Sequence, residues 1–265
     1  TADQHPNDQL TATAPRAYTY TFDLAGNRLS EVLSLNGGTP TVTSYTYNAA
    51  NQISSSGFAY DPNGNMTSDG TNSYTWDRAN RLLSMGGHSY AYEGEGRRVS
   101  QTVSSVVTKY LLDVQPELVK VLAQTIGTDT TRFVHDFRGI LAQESPTGTW
   151  LHPMDDGLHS VRSVVDDAGD VLEMTDYSPF GTPENPLTLT PFAFTGEMRA
   201  GTGLQDHRAR QYNPALGVFQ NIDPFEGTID RPISLNGYSL VEGNVVNKLD
   251  PSGKITLYDK VAAES

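Results

Sequence analysis

One short phrase recurs along the first part of the chain, and it constrains the fold more than any other feature. It reads as an aromatic residue, Asp or a near-isostere, two or three variable residues, Gly or Asn, a polar residue and an apolar one. The occurrences are Phe22-Asp23-Leu24-Ala25-Gly26-Asn27-Arg28-Leu29, Tyr47-Asn48-Ala49-Ala50-Asn51-Gln52-Ile53, Tyr60-Asp61-Pro62-Asn63-Gly64-Asn65-Met66, Trp76-Asp77-Arg78-Ala79-Asn80-Arg81-Leu82 and Tyr92-Glu93-Gly94-Glu95-Gly96-Arg97-Arg98-Val99. Tyr60, Trp76 and Tyr92 are spaced 16 residues apart, Tyr47 and Tyr60 are 13 apart, and the 25 between Phe22 and Tyr47 hold an insertion. Self-similarity at such a period marks a chain built from one supersecondary unit, stacked because no single copy buries its own apolar face.

That unit is a β-hairpin. Ahead of each turn the residues alternate: Tyr18, Tyr20 and Phe22 share one face, and Thr19 and Thr21 the other. Tyr45 with Tyr47, Tyr74 with Trp76, and Tyr90 with Tyr92 repeat the pattern. Asp caps the turn through its own side chain. Gly or Asn takes the positive-φ position that a tight loop requires. An isolated hairpin is marginal in water, so successive hairpins must pair edge to edge into a long, coiled antiparallel sheet. The fold class expected is therefore all-β.

Composition agrees. The chain has 24 Gly, 15 Pro and 13 Tyr, with only 37 % hydrophobic residues, which suits short strands and tight turns rather than a helical bundle. Eighteen Lys and Arg against 31 Asp and Glu leave a net charge of −13. That excludes the basic stripe a nucleic-acid partner needs. There is no cysteine for a disulfide framework or thiolate metal site. No stretch has the length and apolarity of a membrane-spanning helix, so no membrane insertion is expected.

Aromatic-Asp-x-x-Gly-Asn-x-Leu at this period resembles the YD repeats of the RHS family. That family includes bacterial polymorphic toxins, the C component of insecticidal toxin complexes, wall-associated proteins and the teneurin shell. The resemblance implies a strip of sheet spiralling into a hollow shell. It continues more loosely through Phe133-Val134-His135-Asp136-Phe137-Arg138-Gly139. Asp156-Gly157-Leu158-His159-Ser160-Val161-Arg162 is similar to the family's "DGLGSVR", and Tyr177-Ser178-Pro179-Phe180-Gly181 to its "YDPFG". From Phe194 to Gly253 it is dense. Phe194-Thr195-Gly196, Thr202-Gly203-Leu204 and Arg208-Ala209-Arg210-Gln211-Tyr212-Asn213-Pro214-Ala215-Leu216-Gly217-Val218-Phe219 resemble the RHS-associated core signature, departing from it at Gln211, Asn213 and Val218. Asp223-Pro224, Asn236-Gly237-Tyr238 and Asp250-Pro251-Ser252-Gly253 complete the order.

In many members of that family the core resembles an aspartyl autoprotease that cuts just after the last "DP.G" element and frees a C-terminal effector. Carried onto this chain, the resemblance implies a carboxylate pair, Asp223 and Asp250, with Arg208 and Arg210 supporting it and a cleavage site at Lys254 and Ile255. Two close carboxyls do not easily both ionise, so one activates water while the other keeps a proton for the carbonyl oxygen. The plainer reading is that each Asp-Pro only starts a turn. Lys254 stands where cutting members usually carry Leu, so a shell that does not cut remains the alternative.

Four segments are expected: a flexible start at 1–16, repeats over 17–191, the RHS-associated core over 192–253, and a tail at 254–265. The tail is either the start of a removed effector or a natural end, and the polar opening suggests a fragment of something longer. Val114–Ala123 is read as strand and 182–191 as an extended connection. No cofactor and no metal are expected. Asp61, Asn63 and Asn65 alternate like calcium ligands but lack a distal bidentate Glu. His5, His88, His135, His152, His159 and His207 have no zinc spacing. The expected function is a structural shell segment that encapsulates or displays its effector, secreted or on a bacterial surface. Its partners are that effector, the missing N-terminal shell, or further copies paired through open sheet edges. The competing function is an extracellular adhesion or carbohydrate-binding module using exposed aromatic rings.

Overall fold

The computed structural model describes residues 15–116 and 118–254, with the backbone of 257–258. Among these residues there is no α-helix, only strands, turns and short 3-10 segments. β1 (Arg16–Phe22), β2 (Arg28–Leu35) and β3 (Thr41–Ser44) form one antiparallel sheet, and β4 (Phe58–Tyr60) pairs with β5 (Met66–Asp69). Eleven strands follow, from β6 (Tyr74–Trp76) to β16 (Val171–Met174), each beside its predecessor in one antiparallel sheet. A smaller sheet holds β17 (Met198–Arg199), β18 (Gln205–His207), β19 (Arg210–Asn213) and β20 (Val218–Phe219). β21 (Lys248–Leu249) pairs with β22 (Leu257–Tyr258).

The repeat turns share one atomic plan. The Asp61 Oδ1 accepts the backbone N–H groups of Asn63 and Asn65, both at 2.9 Å. Asp23, Asn48, Asp77, Asp156 and Asp166 do the same two and four residues on. The fourth residue takes positive φ: Gly26, Asn51, Gly64, Asn80, Gly96 and Gly169. His159 occupies that place at φ 61°, where the family has Gly. The Asp61 Oδ2 accepts from the Asn65 amide, so both its oxygens serve the turn.

Beyond each turn the return strand carries one extra residue. Register slips between Thr21 and Phe22, Ala59 and Tyr60, Thr75 and Trp76, and Ala91 and Tyr92. Such bulges bend and twist a sheet, and one per hairpin accumulates into a coil. The next aromatic then reaches back to the bulge. Tyr47 Oη donates to the Arg28 carbonyl at 3.0 Å, Trp76 Nε1 to Met66 at 2.7 Å, Tyr92 Oη to Leu82 at 2.8 Å and Tyr177 Oη to Val161 at 2.9 Å. Each of those carbonyls belongs to the first residue of a return strand. The repeat therefore favours Tyr or Trp over Phe: the ring packs and its polar tip satisfies backbone.

The coil closes on residues from its own C-terminal part. Met66, Tyr74, Leu82, Met85 and Tyr90 pack with Ala200 and Leu204. Phe133 and Val161 pack with Phe192 and Met198. Tyr212 and Phe219, both fully buried, join Phe180, Phe194, Leu240 and Val241, with Tyr20 against them. Polar clamps run alongside: Arg28 donates to the Leu216 carbonyl at 2.7 Å, Tyr238 Oη to Gly64 at 2.7 Å, and Arg98 pairs with Asp206 at 3.0 Å. The expected strand over Val114–Ala123 is present only from Lys120. Asp113 caps a bend at Gln115, beside Pro116, which breaks the run.

Candidate functional site

The tight turn between β18 and β19 decides which arginine meets the aspartates. His207 pairs with Arg210, so Arg208 and Ala209 form the turn itself. Arg208, at φ 61°, lies on the turn, whereas Arg210 lies on the strand and points inward. Arg210 is 2 % exposed and its guanidinium sits 3.6 Å above the Phe219 ring. Its Nη2 lies 2.7 Å from the Asp223 Oδ2 and 2.9 Å from the Asp250 Oδ2. Its Nη1 donates to the Gly237 carbonyl at 3.1 Å and its Nε to the Gly253 carbonyl at 2.5 Å.

The remaining carboxylate oxygens hold turns. The Asp223 Oδ1 accepts the Phe225 N–H at 2.8 Å. The Asp250 Oδ1 accepts the Lys254 N–H and the Ser252 hydroxyl, both at 3.1 Å. Each aspartate thus caps its Asp-Pro turn with one oxygen and meets the shared guanidinium with the other. The peptide group between Gly253 and Lys254 is held from both sides, its carbonyl by Arg210 and its N–H by Asp250. Gly253 is fixed by contact: at φ +67° a Cβ would lie 2.3 Å from the His207 carbonyl oxygen and 3.0 Å from the Arg210 nitrogen.

Burial pushes the Asp223 carboxyl up to about 6, with Arg210 pulling it back and the neighbouring Asp250 adding to the rise. Lys254, exposed at the end of the turn, also pulls it down. Burial lowers the Arg210 guanidinium from its ordinary value, against the pull of both aspartates. The Asp223 carboxyl can therefore hold its proton in mildly acidic solution.

Of the residues singled out in the sequence, Asp223, Asp250, Arg210 and the Lys254 backbone come together. Arg208 serves the same turn from its other side: it pairs with both oxygens of Glu197 at 3.0 Å and donates to the carbonyls of Val119 and Pro251. Ile255 lies outside the described residues. Sequence reasoning did not assign the buried Glu197 to Arg208. The buried His207 stands beside the site, its Nδ1 2.8 Å from the Asp250 carbonyl. The three departures from the core signature fit locally. Asn213 Oδ1 caps the Ala215 and Leu216 N–H groups, Gln211 donates to Asp206, and Val218 packs with Ile53 and Tyr238.

A repeat strip packed on its own C-terminal turns, which hold a buried arginine–aspartate cluster, defines the class: a β-shell. The profile of the Teneurin YD-shell family matches residues 14–246, and the chain belongs to that family. The tRNA3(Ser)-specific nuclease WapA of Bacillus spizizenii is 29 % identical over 252 residues, covering 88 % of this chain and 11 % of its own. The tRNA nuclease WapA of Bacillus subtilis is 28 % identical over the same length and shares. The crystal structure of TcdB2–TccC3 superposes with a TM-score of 0.74 at 21 % identity, over 94 % of this chain and 14 % of that one. The chain thus spans about a tenth of the length of the WapA relatives.

Proposed function

We propose that this chain is a segment of a secreted or surface-displayed bacterial toxin shell that encloses or displays a C-terminal effector. We assign its Asp223–Asp250 pair to severing the chain after Lys254. The supporting observation is the convergence of both carboxylates on one buried guanidinium that also grips the Gly253 carbonyl. Asp223 is the proton donor, because burial keeps its carboxyl protonated into the mildly acidic range. Asp250, anchored on Arg210, takes the proton from the attacking water. Water adds to the Lys254 carbonyl carbon as Asp223 protonates the oxygen; the gem-diol then collapses, one hydroxyl proton returning to Asp223 while Asp250 passes the water proton to the Ile255 nitrogen, and the C–N bond breaks to give a new carboxyl and a new amine. Arg210 holds the two aspartates together, and the turn clamps on Gly253 and Lys254 limit the motion of the bond one residue on.

Segment boundaries follow the same reading: repeats over 17–191, a closing core over 192–253 and an effector joined at 254–265. The carbohydrate-binding alternative needs exposed rings, whereas Tyr74 and Tyr90 are buried and Tyr47, Trp76 and Tyr92 spend their polar tips on backbone. The test is a fusion carrying a folded reporter after Ser265. Cleavage releases the reporter from the wild type and not from Asp223→Asn or Asp250→Asn. A wild-type fusion that stays whole for days would identify an inert shell with both aspartates as turn caps.

A further inference from the structure

The chain's arginines are, with few exceptions, matched to carboxylates: Arg16 to Glu184, Arg28 to Glu31, Arg98 to Asp206, Arg208 to Glu197 and Arg210 to its aspartate pair. Arg199, at the end of β17, departs from that rule. It makes no salt bridge, and its fully buried Nε has no hydrogen-bond partner among the described residues. Burial lowers its guanidinium from the ordinary value, and Tyr177 is the one titratable neighbour that pulls the other way. The rest of the half-buried side chain reaches water, but a buried N–H without an acceptor is costly, and such donors are normally paired. In a chain of net charge −13 a carboxylate partner would have been easy to supply from within.

Arg199 lines a cavity of about 40 Å³ under the 182–191 connection. A single water needs roughly 10–15 Å³ of such space, so there is room for a small anionic group. Pro183, Pro186, Leu187, Pro191 and Phe192 supply hydrocarbon to a lining that also carries polar surface, with Tyr177 and Thr190 beside Arg199. The connection is held in place from outside the cavity. Gln143 donates to the Leu189 carbonyl at 2.6 Å, and Glu173 accepts the Thr188 and Leu189 N–H groups at 2.8 and 3.0 Å. The cavity is therefore part of the packed seam between strip and closing turns, and Phe192 there also packs against Phe133 at 5.1 Å.

We propose that this cavity is a carboxylate-binding site, in which Arg199 takes the two oxygens and the proline-rich wall takes a short hydrocarbon stem. The chemistry selects a monovalent carboxylate. One guanidinium presents a planar fork that matches two carboxylate oxygens. The chain's net charge of −13 disfavours a multiply charged phosphate more than a monovalent anion. The carboxylate can arrive free in solution, or on an Asp or Glu side chain of a segment laid over the seam. The chemistry is shared, and the two sources separate by experiment.

The probes are acetate, its neutral isostere acetamide, and N-acetylglutamate amide, each read by saturation-transfer NMR on the whole chain. Acetate is expected to receive saturation at its methyl group and acetamide at least fivefold less. The acetate signal should fall at least fivefold in Arg199→Gln and in Leu187→Phe, which fills the cavity without touching the charge. Melting curves check that each variant is folded, and Leu187→Phe decides alone if Arg199→Gln is not. Binding of the glutamate derivative without acetate assigns the site to a side chain, and binding of both assigns it to free carboxylates as well. Equal signals from acetate and acetamide, no signal from either carboxylate, or full binding in a folded variant would overturn the proposal.

Discussion

Replacing Arg210 by Met keeps an unbranched stem over Phe219 and removes the cation that both aspartates share. The side chain is 2 % exposed, and it leaves behind two buried or nearly buried carboxyls and the carbonyls of Gly237 and Gly253. Breaking a buried pair by deleting one partner costs about 3–5 kcal/mol. Each carbonyl that loses its donor adds up to about 1–3 kcal/mol, less where water enters. A loss of about 4–6 kcal/mol near neutral pH is expected, a large share of a domain's stability. The sign of the pH dependence follows from the same charges. Without the guanidinium the folded pair holds a proton more tightly than the unfolded chain does. The variant is therefore least destabilised in acid and loses stability as the pH rises through the folded pKa. Urea unfolding of both proteins at about pH 5 and about pH 7.5 should show the gap widening by about 2 kcal/mol or more. A loss below about 1 kcal/mol, or one equal at both pH values, would refute the shared-cation reasoning.

Three further outcomes are expected. Asp223→Asn should flatten a slope that the wild type shows. The folded carboxyl at about 6 stands above its ordinary 3.8, so wild-type stability falls by about 2 kcal/mol as the pH rises between those values, as urea midpoints would record. Gly253→Ala should cost about 3 kcal/mol or more by thermal unfolding and abolish reporter release, because the new Cβ meets the His207 carbonyl at 2.3 Å and forces the turn off Arg210. Trp76→Ala should cost about 2–4 kcal/mol, since the ring is half-buried and its N–H holds the Met66 carbonyl; a melting temperature equal to the wild type's would contradict this.

The hairpin plan was legible in the sequence because its determinants are local. Asp, a positive-φ Gly or Asn and alternating aromatics act within a few residues, and the turns at Asp23, Asp61 and Asp77 match atom for atom. The bulges were not legible, since a register slip depends on the partner strand, and with them went the reason for Tyr or Trp at each repeat start. The division of labour between the two arginines was hidden for a related reason. Arg208 and Arg210 are two residues apart and would share a face of one strand, but the turn at Arg208 and Ala209 intervenes. Glu197, the residue that takes Arg208, is eleven positions away on the far side of β17, and no local pattern announces it. Arg210 with Asp250 is a contact across 40 residues, visible beforehand only through the resemblance of the whole motif set.

The rate at which the reporter fusion is cut, followed by intact mass from about pH 4.5 to about pH 8, tests the assignment of the aspartate pair most directly. A fragment ending at Lys254 should form fastest in mild acid and slow down as the pH rises through about 6, where Asp223 gives up its proton. A rate that is flat across that range, or a fragment that forms equally fast in Asp223→Asn, would contradict a carboxyl dyad with Asp223 as its acid.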